Sequence, residues 1–380
     1  MKNYDLYATM GTGFEAVVAK ELQNLGYDTT TENGRVFFKG NIEDIIKTNI
    51  NLRTADRIKI LLKEFKALDF ETLYDQIFNY DWAQLLPVDA KFPVSGRSVK
   101  SKLHSEPDIQ SIVKKAIVDK MTQQYHRRGF LPETGNLYHL DIYINKDIAR
   151  ISLDTTGESL FKRGYRVEHG GAPLKENFAA GLLKLTPYNG THPLIDPFTG
   201  SGTLAIEAAL IARNIAPGLW RNFAFNNFDW VDNNLYKQEI ENAKSKISKN
   251  HAPIIASDID QSILEIAKVN ANNAGVLDDI RFKQVAIKDF ATDLTNGIII
   301  ANPPYGRRLK DKTSARKIYQ EMGNVLGNLS SFNQYYLTSD VEFEKYFGKV
   351  ANKKRKLFNG NIRTDFYQYW HTKKLSLIHI

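Results

Sequence analysis

Three short runs in the second half of the chain, Leu194-Ile195, Ile254-Ile255-Ala256 and Ile298-Ile299-Ile300, contain no polar residue, glycine or proline. A strand with one wet face alternates apolar and polar positions. A strand that is apolar throughout must be covered on both faces, the condition of a central strand in a parallel sheet flanked by helices. A polar residue follows closely each time: Asp196 after Ile195, Ser257-Asp258 after Ala256, and Asn302 two residues after Ile300. In open α/β sheets the ligand crevice lies just past the carboxyl ends of the strands. From Ala172 onward, helical patterns alternate with such runs, which predicts a doubly wound α/β domain.

The polar residues suggest the ligand. Strand Leu194-Ile195 leads into Asp196-Pro197-Phe198-Thr199-Gly200-Ser201-Gly202-Thr203, and a helix is expected from Leu204 to Ala212. Glycines here let a ligand approach the backbone N–H groups of the helix N-terminus. A nucleotide phosphate loop would end in Gly-Lys-Ser/Thr, and no such lysine is present. An acid at the strand end instead suits a ligand with a cationic amino group. The methionine part of S-adenosylmethionine has one, beside a carboxylate that the helix N-terminus can receive. Asp258 can accept both hydroxyls of a ribose, and Ile259 can lie on an adenine face. After the strand expected over Ile280 to Val285, Asp289 of Lys288-Asp289-Phe290 can accept an adenine amino group. Asp260 reads as the N-cap of a helix starting at Gln261.

Asn302-Pro303-Pro304-Tyr305 completes the series. Proline lacks an N–H and pushes the preceding residue into an extended conformation. Asn302 is thereby held extended at the strand end, with its side-chain carbonyl and the nearby backbone carbonyls as acceptors. Two acceptors aimed at a planar –NH₂ can draw its hydrogens out of plane and free the lone pair, while Tyr305 stacks on the ring. An ordinary strand end with a Pro-Pro turn is the plainer reading of the tetrapeptide alone.

The first half has another rhythm. Strands are expected at Tyr4 to Thr9, Arg35 to Phe38 and Arg57 to Phe65, and helices at Phe14 to Leu25 and Ile42 to Asn51, a small α+β domain. Helices over Phe70 to Tyr80 and Pro107 to Tyr125, and a hairpin around Asn145-Lys146-Asp147, follow. Gly11-Thr12-Gly13-Phe14-Glu15-Ala16 imitates a dinucleotide fingerprint. The next strand ends in Lys39 instead of an acid, so a nicotinamide site is rejected. Between Lys91 and Arg128, nine Lys or Arg stand against three Asp or Glu, within a chain of net charge +8. Arg97, Lys100 and Lys102, then Lys114, Lys115 and Lys120 on the long helix, then Arg127 and Arg128, form the expected RNA-facing set. A solvated helix face is the bland alternative.

Cysteine is absent. That removes disulfides, thiolate zinc sites and base methylation through a cysteine nucleophile. The eight histidines lack ligand spacing, so no metal is expected. No apolar run reaches membrane-spanning length and no signal-peptide pattern opens the chain, so the expected location is the cytoplasm, with no membrane partner. Oligomeric state is left open.

The run Asp196 to Thr203 with Asn302-Pro303-Pro304-Tyr305-Gly306 resembles class I S-adenosylmethionine-dependent amino methyltransferases. Gly157-Glu158-Ser159-Leu160-Phe161-Lys162-Arg163-Gly164-Tyr165-Arg166 and Ala172-Pro173-Leu174-Lys175-Glu176-Asn177 narrow this. They are similar to THUMP-domain RNA guanine-N2 methyltransferases of the large-subunit ribosomal RNA type. The resemblance implies a ferredoxin-like subdomain over residues 1–66 and a THUMP RNA-binding domain over 67–155. A linker over 156–171 and a Rossmann-like domain with a seven-stranded mixed sheet over 172–373 would follow. It further implies that Pro173 and Leu174 line the methionine pocket, that Asp196, Pro197, Phe198, Thr199, Gly200, Ser201 and Gly202 hold the cofactor, and that Asp258 with Ile259 and Asp289 with Phe290 take its ribose and adenine. The partner would be structured RNA, ribosomal before transfer RNA. An RNA-binding assembly factor with a vestigial methyltransferase domain is the alternative from another class. The aromatic segment from Pro217 to Trp230 is either an insertion packed under the sheet or part of an RNA channel.

Overall fold

The computed structural model describes residues 2–166, 174–249, 251–305, 309–360 and 362–371. The chain divides into two units. The first comprises Met1–Met10, Val18–Leu160 and Gly218–Asn242, and the second Gly11–Val17, Phe161–Pro217 and Ala243–Ile380.

The first unit is built on β1 (Tyr4–Thr9), β2 (Thr30–Glu32), β3 (Arg35–Gly40), β4 (Arg57–Lys66), β5 (Val94–Val99), β6 (Leu140–Asn145) and β7 (Ile148–Asp154). Helices α1 (Glu15–Asn24, from Val18 onward), α2 (Ile42–Asn51), α3 (Phe70–Phe78) and α4 (Glu106–Gln124) accompany them, with the part of a later helix up to Asn242. Local chemistry sets the ends. Asn41 and Asp44 form a reciprocal capping box at the start of α2, and Asp69 caps α3. Among the described residues the strands form one sheet, in the order β2-β3-β1-β4-β7-β6-β5. The regions expected as ferredoxin-like and THUMP domains thus share a sheet, joined through the antiparallel pair β4–β7, which is bulged between Leu61 and Lys63. Buried Asn49 bonds to Thr155 at 3.0 Å and to Thr156 at 2.6 Å, and Thr156 accepts from the Ile58 N–H at 2.8 Å, so this polar cluster is internally satisfied.

The aromatic segment belongs to this first unit. Phe223, Phe225 and Phe228 are buried, and Phe228 stacks on Tyr138 at 4.7 Å. Trp230 donates from Nε1 to the Leu85 carbonyl, and the N–H groups of Ala224 and Phe225 bond to the carbonyls of Thr156 and Thr155. The stripe is core of the first unit, as such stripes usually are. Burying each ring contributes about 1.5–3 kcal/mol.

The second unit contains α5 (Glu176–Lys184), β8 (Leu194–Asp196), α6 (Thr203–Ala212), part of α7 (Asn233–Ser245), β9 (Ile254–Asp258), α8 (Gln261–Asn273), β10 (Ile280–Gln284), β11 (Ile298–Ala301), α9 (Leu309–Val325), β12 (Asn333–Thr338), α10 (Phe343–Phe347), β13 (Lys353–Asn359) and β14 (Ile362–Tyr369). Its seven described strands run β10-β9-β8-β11-β12-β14-β13. Pairing is parallel from β10 to β12, and β14 is antiparallel to both neighbours. This is the mixed sheet expected. Ile195, Ile255 and Ile299 lie in one core with Tyr319, Tyr336, Phe343 and Tyr367. Chain order reverses between β8 and β11, the switch point where such sheets bind ligands.

Candidate active site at the strand ends of the second sheet

Asp196 ends β8 and is fully buried. Its Oδ1 accepts a long 3.4 Å bond from the Phe198 N–H, and its Oδ2 has no hydrogen-bond partner. Burial pushes the carboxyl up to about 7; the neighbouring Thr199 hydroxyl and the Phe198 N–H oppose this, and the nearby Asp258 carboxylate adds to it. A buried acid without a full set of partners is costly in an apolar interior and marks a place for a cationic group.

The following turn is open. Gly200 and Gly202 have φ of +52° and +89°, a left-handed backbone that glycine adopts without steric penalty. A Cβ on Gly200 would meet nothing within 4 Å, so there is room above the turn. Gly202 starts α6 with no side-chain cap, and the first turn of α6 holds no acidic residue. Its N–H groups and the helix dipole therefore face the strand ends unneutralised by side chains. Asp258, ending β9, accepts from the N–H of Gly200 at 3.0 Å and of Asp260 at 3.1 Å, which fixes the turn against the next strand. Ile259 is 69% exposed, an apolar surface beside that carboxylate. Asp260 caps α8 through Ser262, as its position predicts. Asp289 is exposed, whereas Phe290 packs into the core. Pro197 is buried, Phe198 leans on the same core, and Thr199 is tied to the Ser257 carbonyl at 2.9 Å. These residues fit S-adenosylmethionine: an incompletely partnered acid for its amino group, free helix N–H groups for its carboxylate, and an acid with an apolar neighbour for ribose and adenine.

Arg166 is absent from the candidates read in the sequence. It bonds to Glu176 at 2.8 Å, Ser201 Oγ at 3.2 Å, Thr203 Oγ1 at 3.0 Å and the Leu174 carbonyl at 2.9 Å. One guanidinium thus ties the start of α5 to the glycine turn, using the fork geometry that lysine lacks. Buried Arg163 pairs with buried Glu207 at 3.4 Å, and Tyr165 bonds to the same carboxylate at 3.2 Å. The stretch that composition marks as a linker is therefore packed as far as residue 166. Pro173 lies outside the described residues. The only sequence signal for Arg166 was the clustering of Arg163, Tyr165 and Arg166, which a glycine-rich context disguised.

Asn302 follows β11, and Pro303 is buried. The Tyr305 hydroxyl donates to Asn302 Oδ1, closing the tetrapeptide on itself, and the Tyr319 hydroxyl donates to the Pro304 carbonyl at 2.8 Å. Asn302 thus already spends an acceptor that the sequence assigns to an amino group. Tyr305 lines a cavity of about 430 Å³ with Lys312, Arg316, Asp340, Val341 and Ile362, a size in the range of small-ligand pockets. Ile362 lies just beyond the Leu357-Phe358-Asn359-Gly360-Asn361 turn, though Asn361 itself and Gly306 are outside the described residues.

The basic residues of the first unit are not gathered into one surface. Gly96 lies under α4, where a Cβ would sit 2.8 Å from Gln110 Cγ, so the adjacent Arg97 projects from the opposite face of the sheet. Lys114 is committed internally, paired with Glu133 at 2.8 Å and lying 3.4 Å over the Phe92 ring. Lys115 and Lys120 lie over Tyr74 and Phe78 of α3. Lys100, Lys102, Arg127 and Arg128 are exposed. Among the described residues there is no helix long and apolar enough to cross a membrane and no acid–histidine cluster that could hold a metal.

Three family models match. Residues 163–368 match an RMKL-like methyltransferase domain, 5–59 an RlmL ferredoxin-like domain and 67–154 a THUMP domain. The chain is 48% identical to "Putative RNA methyltransferase YpsC" of Bacillus subtilis, covering 97% of both chains. It is 31% identical to "Ribosomal RNA large subunit methyltransferase K/L" of Shewanella amazonensis, where it spans 96% of its own length but only 53% of that protein. The "Crystal structure of SMU.472, a putative methyltransferase complexed with SAH" is 46% identical and superposes with a TM-score of 0.93 over 98% of this chain and 99% of the other. Strand order, open glycine turn and family match agree, and the chain belongs to the RMKL-like methyltransferase family.

Proposed function

We propose that this protein methylates the exocyclic N2 of a guanine in structured RNA, with 23S ribosomal RNA as the carrier. The methyl donor is S-adenosylmethionine. The observation that carries the reading is the meeting, past the carboxyl ends of the neighbouring strands β8 and β11, of Asp196 and the open glycine turn with Asn302 to Tyr305 and the cavity that Tyr305 lines. RNA is supported by the THUMP match, by the names of the relatives and by the exposed basic residues. Guanine follows the family resemblance.

The donor supplies an electrophilic methyl group on a sulfonium. Asp196 holds its amino group, the N-terminus of α6 its carboxylate, and Asp258, Ile259 and Asp289 its ribose and adenine. On the acceptor side, the base leaves its stack at a cost of a few kcal/mol. Stacking on Tyr305, worth roughly 1–3 kcal/mol, offsets part of this. The incoming amino group displaces the Tyr305 hydroxyl from Asn302 Oδ1. That exchange of one donor for another frees the tyrosine ring to stack. No strong base is required, because the proton can leave after transfer, and alignment supplies most of the rate.

The test is methylation of an unmodified 23S transcript followed by digestion and mass spectrometry. N2-methylguanosine is expected. N6-methyladenosine would overturn guanine, and methylation confined to transfer RNA would overturn the carrier. Asn302→Ala nearly abolishes turnover while donor binding survives, and wild-type turnover in that variant would sink the assignment. Tyr305→Phe keeps the ring and most of the activity, whereas Tyr305→Ala loses roughly tenfold or more.

A further inference from the structure

After α4 the first unit displays His126, Arg127, Arg128, Gly129 and Phe130 in succession, all of them exposed. Phe130 is 95% exposed, the most exposed large apolar side chain described. The display is built, because both flanks are fastened. On one side α4 ends in a wrapped cap, with His126 at φ +51° and the Arg127 N–H bonded to the Thr122 carbonyl at 3.0 Å. On the other, Leu131 is only 8% exposed, Glu133 pairs with Lys114, and the Gly135 N–H bonds to the Asp89 carbonyl at 2.7 Å. A buried leucine next to a fully exposed phenylalanine means the backbone turns one inward and the other outward. Arg127 and Arg128 have no ion-pair partner among the described residues, and no acid falls between His126 and Pro132.

We propose that Phe130 is a stacking platform for an unpaired RNA base, with Arg127 and Arg128 holding the flanking phosphates. This rests on the reading of the protein as an RNA methyltransferase and adds a contact carried by the first unit. An aromatic ring held between cations is the composition that single-stranded nucleic acid recognises, since every base offers a π-face and every nucleotide a charge. A protein partner would want an apolar surround for Phe130. The adjacent arginines and histidine supply charge instead.

The probe is the unmodified 23S transcript, with full-length protein and binding followed by fluorescence anisotropy. Phe130→Ala weakens binding by roughly tenfold. Phe130→Leu, which keeps apolar bulk without a π-face, weakens it as much, while Phe130→Trp restores it and its indole emission is quenched by the RNA. Arg127→Ala with Arg128→Ala flattens the dependence of log affinity on log salt by about 2. Because Phe130 is in water, melting temperature and S-adenosylmethionine affinity stay at wild-type values. Wild-type affinity in both Phe130→Ala and Phe130→Leu would overturn the platform, and full rescue by leucine would replace stacking with a plain apolar contact. If the wild-type protein fails to bind the transcript, the RNA reading itself falls.

Discussion

Gly11-Thr12-Gly13 and Gly200-Ser201-Gly202 both follow a strand and precede a helix, β1 to α1 and β8 to α6. At the first turn the chain fills the space itself. The Gly13 N–H donates to Glu15 Oε2 at 2.8 Å, Arg355 donates to the Gly13 carbonyl at 2.6 Å, and a Cβ on Gly13 would come within 2.8 Å of Leu357 Cδ2. Phe14 closes the region edge-on against Phe178 at 5.0 Å. At the second turn there is no cap, no acid in the helix's first turn, open space above Gly200 and an unpartnered carboxylate oxygen on Asp196. The same glycine spacing is thus a packed corner in one place and a receptor in the other. Whether the helix N-terminus already has an anion of its own decides which.

The largest test of this contrast is Asp196→Asn, which leaves shape intact but removes the charge. S-adenosylmethionine affinity should fall a hundredfold or more by calorimetry, given the cost of breaking a buried ionic contact. A loss under tenfold would make the two turns equivalent. Next come paired glycine substitutions. Gly13→Ala should cost about 1–3 kcal/mol in urea unfolding, from left-handed backbone and crowding, with donor affinity unchanged. Gly200→Ala should cost about 1–2 kcal/mol of stability and in addition weaken the donor at least tenfold, because its methyl group enters the open space.

A smaller effect follows from the titration of Asp196. The charged amino group of the donor binds the ionised form, so affinity should rise with pH up to about 7 and fall again once the donor's own amino group loses its proton. Between pH 6 and pH 7 the gain is about fivefold, and Asp196→Asn should abolish it. Stability of the ligand-free protein runs the other way. The folded state keeps a proton that the unfolded chain releases near pH 4, so this group's contribution falls as pH rises from about 4 to 7 and is constant above. Smallest of all, Glu15→Ala removes the built-in anion at α1 and should cost about 1 kcal/mol, visible as a few degrees in a thermal melt, with donor binding intact.

Much of the second unit was legible because its strands are short and uninterrupted. Ile254-Ile255-Ala256 has one reading once strands and helices alternate, and the polar residues past the strand ends then mark the crevice. The limits have physical causes. β2, Thr30–Glu32, is exposed at all three positions, so no alternation betrays it. The pairing of β4 with β7 joins residues more than eighty positions apart and leaves no local trace, so the one sheet that the two matched domains share is not legible. Arg166 is hidden for the opposite reason: a charged residue among glycines suggests solvent, yet its guanidinium bonds to oxygens from two segments, 174–176 and 201–203. Charge counting places Lys114 in the RNA-facing set because it does not register Glu133 nineteen residues on.

The path of the chain has a consequence for its synthesis. Between Met10 and Ala243 it changes unit five times, after residues 10, 17, 160, 217 and 242. A ribosome releasing this protein has made every strand of the first sheet by Asp154, but Phe223, Phe225 and Phe228 are still to come. At roughly 5–20 residues per second, their arrival lags by several seconds to more than ten. In that interval the surface around Tyr138 awaits its cover. The first unit therefore closes only once the chain has passed Asn242, with Ala243 onward of the second unit still to be made.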